Sequence, residues 1–174
     1  FASHAEATPF ADDRKAEGIR LVPIIDAGVR IDEKDETCQE GLAKGYFCKK
    51  ADGTPFVAAV WPGKAYFADF LRPEVREWFG GRYKVLTDLG IEGFWNDMNE
   101  PALFYSPDRL KAFFDSMAEM SKMPNIEQED FFEKVVGGVM GLMNSPEDYA
   151  SFYHEVNGQR IRHDRVHNLY GGSM

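Results

Sequence analysis

The sequence predicts an α/β fold built from parallel β-α units, and three observations carry that prediction. Two short apolar runs, residues 19–25 and 91–95, have the length and composition of strands buried on both faces. Each follows a helical stretch closed by a glycine, Gly18 and Gly90, the usual residue just past a helix end. Each run is followed by a carboxylate, Asp26 and Asp97. The order helix, strand, insertion, helix, strand is that of parallel units, whose functional groups gather at the carboxyl ends of the strands.

Residues 11–18 read as the end of a first helix. Pro23 weakens the strand that follows, because proline cannot donate to a ladder. Residues 29–45 are charged and loop-like, with room for a short helix. Residues 46–50, the pair Asp52-Gly53 and residues 54–60 read as a hairpin, since Asp-Gly is a strong turn signal between β-prone runs. Trp61-Pro62-Gly63 should break it. Pro73 suits the first position of a helix. Val75, Trp78, Phe79, Tyr83, Leu86 and Leu89 then recur at helical spacing, with Gly80-Gly81 expected to kink or weaken it.

Residues 108–123 predict an amphipathic helix stopped by Pro124, whose stripe of Leu110, Phe113, Phe114, Met117 and Met120 reads as core rather than a cofactor box. Residues 124–144 are ambiguous because Gly137, Gly138 and Gly141 interrupt them. Ser145-Pro146-Glu147-Asp148 looks like a helix start, and residues 165–174 look helical.

The composition narrows the function classes. Hydrophobic residues make up 44% and charged residues 28%, a globular balance. A net charge of −9 argues against nucleic acid, whose phosphates are neutralised by Lys and Arg, and against an anionic membrane surface. A neutral substrate is not disfavoured. Aromatics reach 14%, which suits either a deep core or rings stacked on a flat apolar ligand. Cys38 and Cys48 show neither a disulfide framework nor zinc spacing. Two reduced thiols, with no visible signal peptide and no apolar run long enough to span a membrane, give the expectation of a cytoplasmic protein.

The chemistry is expected at the strand ends. Asp97 follows Trp95 and precedes Met98, Glu100 and Phe104. A carboxylate among apolar rings suits a sugar, whose ring faces are apolar and whose cleavage passes through an oxocarbenium-like state. Taken alone, Asp97 and Glu100 read better as solvated acids at a helix start. They offer too few oxygens for a hard-cation site.

The wider pattern changes that balance. Trp95-Asn96-Asp97-Met98-Asn99-Glu100-Pro101 closely resembles the signature of family 31 of the glycoside hydrolases, the α-glucosidase and sucrase–isomaltase group, in which the Asp of W-x-D-M-N-E is the nucleophile. Three other segments resemble the family in the same order. They are Ile24-Ile25-Asp26-Ala27-Gly28-Val29, then Val60-Trp61-Pro62-Gly63 with Phe67-Ala68-Asp69-Phe70, and His167-Asn168-Leu169-Tyr170-Gly171. Ala68 departs from the proline usual in the family.

The resemblance implies part of a (β/α)8 TIM-type barrel, residues 1–174 forming the central part of one catalytic domain with a helical insertion at 102–162. It implies a retaining α-glycoside hydrolase acting on α-linked di- or oligosaccharides, with Asp97 as nucleophile. Asp26, Trp61, Trp95, Met98 and Phe104 would be substrate-binding, and Glu100 would support the loop. No metal or cofactor is implied. The partners implied are a carbohydrate substrate and the remainder of the barrel itself. The family's acid/base Asp lies beyond the HNLYG helix, so the resemblance places it past Met174. Asp69 and Asp164 match no acid/base motif. His167 reads as a structural histidine. The competing classes are a non-hydrolytic sugar-binding fragment, which trapping with a fluorinated donor would separate from a glycosidase, and an α-glycan transferase or lyase of the same family, which product analysis would separate.

Overall fold

The computed structural model describes residues 4–122 and 128–174. The chain starts with helix α1 (His4–Ala16), and Gly18 leaves it at φ +76° as expected. Strands β1 (Ile24–Asp26) and β2 (Gly28–Arg30) follow, then α2 (Glu36–Ala43). The Asp35 side chain caps α2 by accepting from the Cys38 N–H at 2.7 Å, which supplies one of the donors that a helix start leaves free. Strands β3 (Lys49–Lys50), β4 (Val57–Val60) and β5 (Gly63–Phe67) come next. Helix α3 (Pro73–Arg82) begins on proline and gives way at Tyr83 to the single turn α4 (Lys84–Thr87), close behind the Gly80-Gly81 pair. After β6 (Trp95–Asp97) come α5 (Pro107–Met120), α6 (Gln128–Met140), the turn α7 (Pro146–Tyr149), the hairpin β7 (Phe152–Val156) and β8 (Gln159–Arg162), a 3-10 turn at His163–Arg165 and α8 (His167–Ser173). The stop expected at Pro124 lies outside the described residues.

The two predicted strands pair parallel and in register, Ile24 with Trp95 and Asp26 with Asp97. They are shorter than the apolar runs that announced them, and they are not buried on both faces. Among the described residues each pairs only with the other, so Ile24 remains 58% exposed and Trp95 56%. Two strands are about a quarter of what a closed barrel requires, and no closed barrel is present among the described residues.

The other strands form two antiparallel sheets, ordered β2-β5-β4 and β3-β7-β8. They confine the expected hairpin to its inner part, residues 48–56. The Asp52-Gly53 turn does form, with Lys50 N–H donating to the Thr54 carbonyl at 2.8 Å and Asp52 capping the Thr54 N–H. The arms stay bridged through Lys49 and Pro55, and the Phe56 N–H donates to the Cys48 carbonyl at 2.8 Å. The chain then diverges, so β3 pairs with β7 while β4 pairs with β5. Trp61-Pro62 is therefore the two-residue tip of the β4–β5 hairpin, between the paired Val60 and Gly63, and not a break. Segment 102–162 is likewise not purely helical, because it contributes the β7–β8 hairpin to the sheet started by β3.

The core lies where these sheets meet α3 and α8. Phe47, Phe56, Phe67, Phe70, Val75, Phe152 and Tyr170 are buried there. Phe152 stacks on Phe56 at 4.2 Å and on His163 at 4.4 Å, joining the second sheet to the core. The α5 stripe does not belong to this core. No residue of α5 is fully buried and Phe114 is 60% exposed, because α5 packs mainly on α6, where Phe113 lies directly over Gly138.

Replacing Phe152 with Ala in the full-length protein that carries this chain is expected to cost about 3–5 kcal/mol, the range for emptying a buried aromatic site. Urea unfolding should show a lower midpoint with an unchanged slope. A loss below 1 kcal/mol would mean that this ring does not join the sheets.

Candidate active site

The site is made by register. In a parallel pair, residues that face each other put their side chains on the same face, about 4.8 Å apart across the strands. Asp26 and Asp97 are such a pair, each the last residue of its strand. Alternation turns Asn96 the other way, where its Oδ1 accepts from the Tyr83 hydroxyl at 2.8 Å, and the Tyr83 ring meets Phe94 at 4.7 Å. The helix before β6 thereby holds the strand that presents Asp97.

The two carboxylates differ. Asp26 Oδ1 accepts the Gly28 N–H at 2.9 Å. Glycine is required there, since a Cβ on residue 28 would lie 2.9 Å from Val60 Cγ2. Asp26 Oδ2 is buried and has no partner among the described residues. Burial raises the Asp26 carboxyl above its ordinary value, and the nearby charges of Asp97 and Glu100 add to the shift against the Gly28 N–H. Among the described residues Asp97 accepts only the N–H of Met98, at 3.0 Å. Met98 sits at φ +51°, an unusual conformation for a side chain of this size and of the kind that clusters at functional sites.

A cleft of about 460 Å³ is lined by Ile24, Asp26, Trp61, Pro62, Asp97 and Met98. Trp61 overhangs it from the hairpin tip, 77% exposed. Phe104 stands edge-on to Trp61 at 5.0 Å and 90°, fixed to β4 because its N–H donates to the Ala59 carbonyl at 2.9 Å. A smaller, mainly apolar depression of about 240 Å³, lined among others by Ile19, Leu21, Val22, Leu89 and Ile91, lies at the opposite, amino ends of the strands. Sites in parallel architectures form at the carboxyl ends.

Asp26, Trp61, Asp97 and Met98 therefore come together at one cleft, with Phe104 behind Trp61. Trp95 does not line it; it lies opposite Ile24, two residues before Asp97 on its strand. Glu100 is exposed, and its carboxylate makes no hydrogen bond among the described residues. The loop is supported instead through backbone: the Tyr149 hydroxyl lies 3.0 Å from the Pro101 carbonyl, and Asn99 Nδ2 donates to the Gly171 carbonyl at 3.4 Å.

The sequence reading missed a buried group beneath the loop. Asp69, His154 and His163 are buried and, with His167, form a continuous hydrogen-bonded line. Only the polar residues inside otherwise apolar motifs signalled it. Cys48, Asp69 and His154 bring three possible metal-ligand atoms within 4.8 Å of one another, but those of Asp69 and His154 already face each other at 2.6 Å. Cys38 and Cys48 are both free and buried, and burial pushes the Cys48 thiol up.

A parallel strand pair ending on two unlike carboxylates beneath the exposed Trp61 ring makes a candidate enzyme site on a segment of an α/β barrel. The chain belongs to family 31 of the glycosyl hydrolases, whose TIM-barrel domain it matches over residues 3–174. It is 39% identical over 150 residues to alpha-glucosidase 2 of Bacillus thermoamyloliquefaciens, covering 85% of this chain and 18% of that protein. It is 27% identical over 165 residues to an alpha-glucosidase of Saccharolobus solfataricus, covering 95% of this chain and 21% of that one. Among solved structures it superposes on the DNJ-bound glucosidase II alpha subunit with a TM-score of 0.64 at 26% identity, over 96% of this chain and 14% of the other. The chain thus spans about a fifth of the length of these two curated relatives.

Burial, with His154 and His167 as neighbours, lowers His163 from 6.5 to about 3. Between those values the unfolded chain takes a proton that the folded one refuses, so stability falls as pH drops from about 6.5 toward 3. The slope is up to about 1.4 kcal/mol per pH unit. Urea unfolding of the full-length protein at pH 7, 5.5 and 4.5 should show this loss, and His163→Gln should flatten it. Equal slopes in the two proteins would show that His163 titrates normally.

Proposed function

We propose that this chain is part of a retaining α-glycoside hydrolase that acts on α-linked di- or oligosaccharides, with Asp97 as the nucleophile. The observation that carries this is the in-register pair Asp26 and Asp97 facing a cleft overhung by Trp61. Membership of family 31 and the names of the relatives support it. In this mechanism Asp97 attacks the anomeric carbon and the leaving oxygen departs with a proton from a second carboxylic acid. Water, deprotonated by that same group, then releases the sugar from the covalent glycosyl ester. The second acid stands about 5–5.5 Å from the nucleophile in retaining enzymes, and we place it on a later strand of the barrel, beyond Met174.

Asp26 is assigned to binding rather than proton transfer. Its Oδ1 is held by Gly28, and its buried, unpartnered Oδ2 is completed by a sugar hydroxyl donating to it. Trp61 offers an apolar face to the sugar ring, braced by Phe104. Met98 completes the floor on the strand side. Segment 102–162 is an insertion that braces Trp61 through Phe104, and the loop that carries Glu100 is supported through Asn99 and Pro101. The remaining strands of the barrel cover the open edges of β1 and β6.

A 2-fluoro glycosyl donor with an activated leaving group should inactivate the full-length protein, and peptide mapping should place the sugar on the peptide containing Asp97. Label on another peptide would refute the nucleophile assignment, and transfer or elimination products in place of hydrolysis would refute the reaction class. Asp26→Ala should raise KM by tenfold or more, from about 1.4–3 kcal/mol of lost hydrogen bonding to a charged group. An unchanged KM would remove Asp26 from the binding site.

A further inference from the structure

Four side chains run in one line beneath the Asp97 loop. Asp69, just after β5, has Oδ1 2.6 Å from His154 Nδ1, while its Oδ2 accepts the Glu155 N–H at 2.8 Å. His154 Nε2 lies 2.8 Å from His163 Nδ1. His163 Nε2 lies 2.9 Å from His167 Nδ1. A neutral imidazole carries one donor and one acceptor nitrogen. Written with Asp69 as a carboxylate, which only accepts, the line has one polarity. His154 donates from Nδ1 and accepts at Nε2, His163 repeats the pattern, and His167 donates from Nδ1 to His163 Nε2. The carboxylate thus sets the tautomer of all three rings. A cluster held by packing alone would tolerate either tautomer at each ring.

The line is tied to the loop at two points. The Tyr149 ring lies 5.4 Å from His163 and 4.6 Å from His167, and its hydroxyl is 3.0 Å from the Pro101 carbonyl. Helix α8 carries His167 and Tyr170, the latter packed 5.5 Å from both His154 and His163, and it receives Asn99 through the Gly171 carbonyl. Gly171 is closely fitted, since a Cβ there would lie 3.0 Å from the Asn99 carbonyl oxygen.

We propose that Asp69 is a positioning residue for the nucleophile. By fixing the direction of the Asp69–His154–His163–His167 chain, it holds α8 and Tyr149 where they pin residues 99–101, and so sets the aim of Asp97. This rests on the reading of Asp97 as nucleophile. Asp69 touches no substrate and moves no proton in the reaction.

The test uses the full-length protein labelled with ¹⁵N-histidine. At pH 7 the nuclear resonances of His154, His163 and His167 should show three neutral rings protonated on Nδ1. An Nε2-protonated tautomer at any of them overturns the chain. In Asp69→Asn the amide N–H can face His154 Nδ1, and all three rings should switch to Nε2–H together. kcat should fall by about tenfold or more with KM changed by less than about threefold, as displacement of a reacting group predicts. A switch confined to His154, or a kcat within about twofold of the parent, overturns the proposal. If Asp69→Asn does not fold, the tautomers of the unsubstituted protein still decide the chain. His167→Phe, which keeps a ring against Tyr149, then carries the kinetic comparison with the same expected loss and the same overturning result. Labelling by the fluorinated donor keeps the two readings apart. Label away from Asp97 refutes the nucleophile, whereas label on Asp97 with unaltered kcat in Asp69→Asn refutes only the positioning role.

Discussion

The parallel, in-register pairing of β1 with β6 is the constraint on which the site depends. It sets Asp26 beside Asp97 with three paired positions and little else. A slip of one residue would turn Asp97 to the face now used by Asn96 and send it toward Tyr83. The register is therefore reinforced from outside the sheet. Tyr83 holds Asn96 from the helix side, Gly28 ties Asp26 to the start of β2, and residues 99–101 are pinned by α8 and Tyr149.

The two acids of the pair are alike in the sequence and unlike in their surroundings. Asp26 is partly engaged, with one oxygen buried and unpartnered and its carboxyl raised by burial. Asp97 accepts one N–H from its own neighbour and faces the cleft. Environment rather than residue type separates the group that grips a hydroxyl from the group that attacks carbon. The rings follow the same division. Trp61 is held out over the cleft by a tight hairpin, while Trp95 is not among the residues that line it.

The parts of this arrangement that were legible in the sequence are those set by local chemistry. Gly18 and Gly90 end helices because they can take positive φ, and Pro73 opens α3. The apolar runs ending on Asp26 and Asp97 announced the strand pair. What could not be read depends on distant partners. The Asp52-Gly53 turn was visible, but the choice of β7 as the partner of β3 is made by residues about a hundred positions away. The α5 stripe looked like core because periodicity shows that a face is apolar, not what covers it. The Asp69–histidine line was invisible for the same reason, since its links join β5, β7, the 3-10 turn and α8. Burial of the strands was overestimated because their apolar character suits a complete sheet, of which this chain supplies two members.

The most direct test of the unlike roles of the two acids is chemical rescue in the full-length protein, with an α-glycosyl fluoride as donor. Removing the Asp97 side chain with Asp97→Gly opens the face of the sugar from which that carboxylate attacks. Azide should then restore turnover and give the β-glycosyl azide, the product of a single displacement. Asp26→Gly should gain nothing from azide. Failure of azide to rescue Asp97→Gly, or formation of the α-glycosyl azide, would contradict the assignment of Asp97 as the nucleophile.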